Sequence, residues 1–598
     1  MASIIALHKD SKSILEETEE MLDLLSHRGK YVHSFFSKES LWISNQENYR
    51  LEIENKSKQK LVVFFVGRLT NEKELRKALD CQDSIEVLIQ KMYEKYQEKL
   101  ADHLEGYFAF IILDLVHRKL LIANDLFGSH PLYYSHNGEF IVATELKAIV
   151  KRSSYQAKFN KKPLRSYLTF QTAAMEETFF SGCFRFLAGH TMLYDLEKRE
   201  ILSYIDRREY RPSFIDWQEE ELEAKILDTI KMAVSRDLTQ DHAAFLSGGV
   251  DSSFITSLCK PKKTFTVGYK GYESSFDESD HSKALSDILS IDNACYYVGE
   301  EEFFEALPEI QYYADEPHAN LSMISLYFLN RFVSSEGFQT VYSGEGADEA
   351  FGGYESYYET RAKKLYGILP KPLRKSLANL SKDWSYKRLR DHFYYGQYDF
   401  QDRFVGQAFI MELDEIDRLV KEEYRAYPSA MDLARSYYER FSDLPELSQK
   451  QLIDYYIWMP NDILPKADRM AARFGVDLRM PLMDQEVFDL SRTIKPSLLN
   501  KKGIPKYIYR KAAYKLLPEE WAKRKKLGFM VPLKFFLHKP EHMARFTDLF
   551  KKDFVGEFFN QDLLLAWSKE HLEKRAFHQR KLYTIYAFLL WYQEYFYM

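Results

Sequence analysis

The sequence predicts an α/β protein in two parts: packed antiparallel sheets, then a doubly wound parallel sheet that runs into a helical C-terminal region. Three observations carry that prediction. The chain has 598 residues, 45% of them hydrophobic, which is too long for one ordinary core and apolar enough to bury two. Its first ~200 residues alternate short β-rich runs with few helical patterns. Further on, apolar strands alternate with helical stretches, the pattern of a parallel sheet that binds ligands at the carboxyl ends of its strands.

In chain order, KLVVFFVGRL, GYFAFIILDL, KLLIAND and GEFIVATEL supply strands of the first part. A polar, proline-containing stretch from Arg207 to Gln218 precedes EEELEAKILDTIKMAVSRDL, whose apolar positions recur three and four apart, as on one helix face. The boundary is placed there, giving domains 1–210 and 211–598. Then come the strand HAAFL, a glycine loop, the helical SSFITSLCK, KTFTVGY, DESDHSKALSDILS, ACYYVG and TVYS. Beyond about Tyr354 the pattern is helical and rich in aromatics. The terminal LYTIYAFLLWYQEYFYM has 17 residues and contains Gln593 and Glu594, whereas a membrane span needs ~20 apolar residues. A buried terminal helix is expected.

Lys and Arg number 83 against 89 Asp and Glu, a net charge of -6, so no global basic field draws nucleic acid or an acidic membrane. A small-molecule carboxylate or a peptide is the expected substrate class. Cys81, Cys183, Cys259 and Cys295 form no CxxC pair, which argues against zinc ribbons and thioredoxin-type centres and fits a reducing, cytoplasmic compartment. Lys9 and Asp10 interrupt the first apolar run before it reaches signal-peptide length.

The sharpest local signal is SGGVDSS, which follows the strand HAAFL and opens a helix. Gly248 and Gly249 let the backbone approach an anion, Ser247, Ser252 and Ser253 add donors, and the helix N-terminus adds partial positive charge. A pyrophosphate suits such a loop, although a Ser/Gly turn that merely caps a helix has the same composition. No Walker A lysine is present. VYSGEGADEAFGGY repeats the strand-to-glycine-loop pattern, and Asp348 could share a magnesium ion with Asp251, since Mg2+ is held by one or two carboxylates plus phosphate oxygens. Glu345, Asp348 and Glu349 could equally be a solvated acidic loop at a helix start. Lys466, Arg469, Lys506 and Arg510 stand among apolar residues in the last signal, where a polyanion partner would explain them; an ordinary basic helix face is the alternative, and Lys506 taken alone fits that reading better.

SGGVDSS, SGEGADEAFGGY, DILPKADR, LRMPLMD, PKYIYRKA and RKKLGFMVPL occur in the order seen in glutamine-dependent asparagine synthetases. EGYFAFIILD, NDLFGSHPLYY and ATELKAI resemble that family's N-terminal glutaminase domain. The resemblance implies an Ntn-hydrolase-like antiparallel β-sandwich, an ATP-pyrophosphatase (adenylating) domain, and ATP and Mg2+ as cofactors. It places Ser247 to Ser253 on the pyrophosphate, Asp251 and Asp348 on the metal, and Leu246, Val267, Ser343 and Gly344 around the nucleotide. Lys506 matches the lysine that reaches the polyphosphate, and Glu345 the acid near the attacking nitrogen. Relatives that close β-lactam rings carry a tyrosine there and lasso-peptide cyclases tend toward tryptophan, so Glu345 favours the asparagine-synthetase type. A homodimer is compatible with the sequence.

The first half departs from the family pattern. Glutamine-hydrolysing members begin Met-Cys, whereas position 2 is Ala2; HRGPD becomes HRGKY, from His27 to Tyr31; and the Asn-Gly-Glu loop becomes Val66, Gly67, Arg68. Arg28 and Asp83 remain, so the expectation is a partly retained glutamine site without its chemistry. Free ammonia as nucleophile, an amine within the substrate giving a lactam, an isopeptide or an amidated natural product, and a non-catalytic homologue are the readings left open.

Overall fold

The computed structural model describes the chain except residues 1, 10–13, 30, 38–40, 48–59, 273–277, 383, 385, 525–530 and 598. Two antiparallel sheets form the N-terminal half. One has six strands in the order Tyr31–Ser37, Leu41–Glu47, Ala2–His8, Phe140–Ala143, Leu132–His136 and Cys183–Phe186; the other has five, in the order Glu200–Asp206, His190–Asp195, Lys119–Asn124, Gly106–Asp114 and Leu61–Leu69. Alternate residues explain the unbroken apolar run LVVFFV. Val62, Phe64 and Val66 face the opposite sheet, while Val63 and Phe65 pack outward with Ile89 and Met92 of the helix Ile85–Tyr96. The first sheet is likewise covered, by Ile14, Met21 and Leu25 against Ile5 and Leu7. Both faces of these central strands are therefore buried, which removes the polar alternation that a half-exposed strand shows, whereas the edge strand Glu200–Asp206 stays largely exposed. Each such side chain contributes roughly 1.5–3 kcal/mol on leaving water.

The expected strands of the C-terminal half form one parallel sheet in the order Asp292–Val298, Lys263–Tyr269, Ala243–Phe245, Thr340–Tyr342 and Asp477–Arg479. Chain order reverses on either side of Ala243–Phe245, which makes the crevice at its carboxyl end the topological switch point. Asp477–Arg479, at the start of LRMPLMD, is a strand that the sequence reading does not include. It is a three-residue edge strand, too short to show a period.

Two separate cores are also corrected. Beside the sandwich interior and its outer layer, one continuous cluster runs from Leu7, Tyr133 and Ile149 to Phe588 and Trp591. The terminal helix Gln579–Phe596 is buried as expected, and its Phe588 and Trp591 pack on Phe159, Tyr167 and Phe180 of the first half. The proline-containing linker is strapped down: the Ser213 and Ile215 amides donate to the Arg492 and Thr493 carbonyls, and the Trp217 indole donates to the Thr493 hydroxyl at 2.9 Å.

Candidate active site

Both glycine loops lie at the switch point and line one cavity of about 320 Å³. SGGV bridges the strand Ala243–Phe245 and the helix Val250–Cys259. Ser252 Oγ accepts from the Ser247 amide at 3.1 Å and lies 3.0 Å from Ser247 Oγ, which fixes the loop as a cradle. Gly248 has φ +68°, and a Cβ there would stand 2.7 Å from the Arg524 guanidinium. In SGEG, a Cβ on Gly344 would come within 2.6 Å of the Asp251 carbonyl carbon and the Ser252 amide nitrogen. Glycine at that position lets the two loops touch.

Leu246, Ser247, Gly249, Asp251 and Ser252 line the cavity, as do Val267, Ser343, Gly344, Glu345 and Asp348. Gly248 forms the turn behind it, and Ser253 points into the protein, fully buried. Lys506 sits in a left-handed conformation at the N-terminus of the helix Tyr507–Ala513. Its ammonium is 2.6 Å from Asp251 Oδ2 and 2.7 Å from Asp348 Oδ1. Gly353 makes room for the triad, since a Cβ there would fall on Asp348 Oδ1 and Lys506 Cε.

Asp251 Oδ1 is buried without a hydrogen bond. Among the described residues, no three His, Cys, Asp or Glu side chains could hold a metal by themselves. Two carboxylates, one with an orphaned oxygen, suit an ion that takes its other ligands from phosphate and water, as Mg2+ does.

The four cations grouped in the sequence separate in space. Lys506 and Lys466 reach the cavity. Arg510 also borders it, but donates to the Pro505, Ala522 and Arg524 carbonyls at 2.7–3.0 Å. Arg469 is fully buried elsewhere, paired with Asp468 and Asp315 at 3.1 and 3.2 Å. A common polyanion partner for the four is thereby corrected: backbone carbonyls and carboxylates already satisfy two of them.

Residues without a motif complete the cavity. Trp458 comes from a stretch of π-helix, Asp454–Ile463. Asn320 follows the helix Glu300–Ala314. Tyr354 donates to Glu349 at 2.6 Å, and burial followed by the Glu349 charge pushes its phenol well above the ordinary tyrosine range. It remains a donor at neutral pH. Of RKKLGFMVPL, residues 525–530 lie outside the described residues; Arg524 donates to the Gly248 carbonyl at 3.2 Å.

The glutamine-site positions take structural roles. Ala2 packs on the sandwich interior that contains Val66. Gly67 has φ +106°, and a Cβ there would fall on the Tyr107 carbonyl oxygen, so packing alone requires the glycine. Arg68 stacks on Tyr107 with 4.5 Å to the ring centroid and lies 3.6 Å from Asp477 of the parallel sheet. Burial works against the Asp477 charge, but Arg68 and Arg479 prevail and hold its pKa at about 2. Asp83 is exposed in the loop before the helix Ile85–Tyr96, its carbonyl accepting from Arg76 at 2.6 Å.

Arg28 is fully buried and corrects the expectation of an available glutamine-pocket cation. It forms a bidentate pair with Asp468, at 3.2 and 2.5 Å, and a further bond to Glu145. Lys147 joins Glu145 to Asp315, 2.6 Å away. The result is a buried cluster of three cations and three anions shared by both halves. Lys30, within HRGKY, lies outside the described residues.

An antiparallel sandwich ahead of a parallel sheet with two glycine loops at its switch point defines the class of carbon–nitrogen ligases that carry an amidotransferase-type domain. The chain matches the Asparagine synthase family over residues 225–593 and the Glutamine amidotransferase domain over 1–205. It belongs to the asparagine synthase family, whose members are ATP-dependent amide-forming ligases. It is 29% identical to asparagine synthetase [glutamine-hydrolyzing] 1 of Bacillus subtilis, over 96% of this chain and 93% of that one. It is also 29% identical to a putative asparagine synthetase [glutamine-hydrolyzing] of Mycobacterium tuberculosis, over 89% and 84% respectively. Among solved structures, glutamine phosphoribosylpyrophosphate amidotransferase from B. subtilis superposes with a TM-score of 0.25 and 12% identity, covering 49% of this chain and 65% of that one. So weak a superposition fixes nothing about the fold, which rests on the strand orders. No described helix is long and apolar enough to cross a membrane.

Proposed function

We propose that this enzyme activates the carboxylate of aspartate or a related acid as its adenylate. The substrate carboxylate oxygen attacks the α-phosphorus of ATP, the bond to the bridging oxygen breaks, and pyrophosphate leaves. Ammonia or an amine then attacks the acyl carbon, AMP departs, and one proton is lost from nitrogen. The supporting observation is Lys506, held between Asp251 and Asp348 where the two glycine loops meet.

In this reading Ser247, Gly248, Gly249 and Ser252 form the pyrophosphate loop, with preorganised donors where charge accumulates, while Ser253, buried behind it, does not reach the cavity. Leu246, Val267, Ser343 and Gly344 hold the nucleotide. Asp251 and Asp348 would hold Mg2+, which neutralises phosphate charge when bound. Lys506 moves its charge from the carboxylates to the departing pyrophosphate, a movement that suits a point charge on a flexible stem. Glu345, on the cavity wall, takes the proton from the attacking nitrogen.

The domains divide at 210/211, and the first is a glutaminase fold without glutaminase chemistry. Ala2 offers no nucleophile, Val66 no amide partner, and Arg68 is engaged with Asp477. These observations favour free ammonia or an amine already on the substrate, the latter giving a lactam, an isopeptide or an amidated natural product. A non-catalytic homologue would have no need of the Lys506–Asp251–Asp348 triad. The test is exchange of labelled pyrophosphate into ATP across candidate acids, aspartate first, with ammonium and glutamine compared as nitrogen donors. AMP, pyrophosphate and ammonium dependence are expected, without glutamate release. ADP and phosphate would overturn adenylation, and glutamate release by the wild type would overturn the loss of glutaminase chemistry.

A further inference from the structure

The wall of the cavity that Asn320 and Lys466 form is held from outside its own domain. Asp462 is fully buried and takes three side-chain donors: Asn320 Nδ2 at 2.6 Å, Gln171 Nε2 at 3.0 Å and Lys466 Nζ at 3.4 Å. Asn320 and Lys466 line the cavity. Gln171 does not, and it belongs to the N-terminal half, at the end of the helix Leu164–Phe170.

Gln171 grips the same wall a second time, because its carbonyl accepts the Ala319 amide at 2.8 Å, one residue before Asn320. The neighbouring Thr172 hydroxyl donates to the Asn461 carbonyl at 2.8 Å, one residue before Asp462. Arg580 of the terminal helix donates to Gln171 Oε1 and fixes the orientation of the amide. Gln171 is 2% exposed and has φ +60°. A non-glycine residue holds that conformation only where its surroundings impose it.

We propose that Gln171 is a positioning residue for the acid-binding end of the cavity. Resting on the adenylation reading, the proposal gives the amidotransferase-like half a present role in the reaction, because the Gln171 amide sets Asp462, and Asp462 sets Lys466 and Asn320 against the acid. A buried carboxylate that loses one of its donors redistributes its remaining bonds. Without the amide, Asp462 turns toward Lys466, which closes the 3.4 Å gap and withdraws from the acid, and Asn320 follows the carboxylate, while the ATP loops, on other elements, stay in place.

The experiment compares full-length wild type, Gln171→Met and Ile89→Ala, the last a core truncation in the N-terminal half remote from the cavity. With L-aspartate, ammonium and Mg·ATP, Gln171→Met should raise the KM for aspartate about tenfold or more, with the KM for ATP unchanged. Ile89→Ala should lower Tm and leave both KM values alone. Hydrogen exchange, which requires no substrate, should quicken in residues 317–324 and 456–469 of Gln171→Met and remain wild-type in the SGGV loop. Unchanged exchange in those segments, or equal effects on both KM values, overturns the proposal. A wild type that does not use aspartate overturns that choice of acid and leaves the exchange experiment to decide on Gln171.

Discussion

Replacing Lys506 with methionine should cost folding stability as well as activity, and Mg2+ should restore much of the stability. The lysine is 2.6 and 2.7 Å from two carboxylates whose side chains are only 17% and 10% exposed. Removing one partner of a buried ion pair costs about 3–5 kcal/mol; with some solvent reaching Asp251, the lower end applies, about 3 kcal/mol. Mg2+ at 100 times its Kd returns about 2.7 kcal/mol to whichever state binds it. In the wild type the ammonium competes for the same oxygens, so the ion gains less there. Melting both proteins in EDTA and in MgCl2 tests the reasoning, with a larger metal-induced rise in Tm expected for Lys506→Met. Pyrophosphate exchange should fall by about two to three orders of magnitude even when Mg2+ has restored the fold. Equal metal shifts, or a variant as stable as wild type in EDTA, would refute the assignment of Lys506 as the counter-ion of a two-carboxylate metal site.

Gly353→Ala should reduce pyrophosphate exchange at least ~100-fold with circular dichroism unchanged, because its Cβ displaces the Asp348 carboxylate and the Lys506 stem together. Asp477 supplies a pH test. Its pKa in the folded protein is held at about 2 by Arg68 and Arg479 acting against burial, below its unfolded value of roughly 3.9. Its contribution to stability is therefore complete above the unfolded pKa and lost as pH falls through the folded one. Denaturant melts should show Asp477→Asn less stable than wild type at pH 7, with the gap closing between about pH 4 and 2. A gap independent of pH would show that the Asp477 charge does not stabilise the fold.

The parts of the site legible in the sequence are those that need glycine locally. SGGVDSS and SGEG announce themselves because a left-handed turn at Gly248 and a loop-to-loop contact at Gly344 exclude other residues. Lys506 is legible only by resemblance, since nothing in PKYIYRKA distinguishes it from Arg510, which is spent on carbonyls. Gln171, Asn320 and the pair Trp458 and Asp462 come from three segments far apart in the chain, and ordinary polar or aromatic residues carry no periodic signal of what they will meet. The sandwich strands are readable from β-rich runs, but their covering helices are not. Charges follow the same logic: Arg28 and Arg469 read as surface or pocket cations until the fold supplies their partners.

The shared cluster of buried charges also bears on how such a protein can change over evolutionary time. Arg28, Lys147 and Glu145 leave the N-terminal half with one positive charge in excess, and Arg469, Asp315 and Asp468 leave the C-terminal half with one negative. Deleting either half leaves the other with an unbalanced charge and uncovers the apolar surface of the core that the two halves share. Loss of a reaction in the first half can therefore accumulate one side chain at a time, whereas excision of that half has no small first step. Each half is part of the medium in which the other folds.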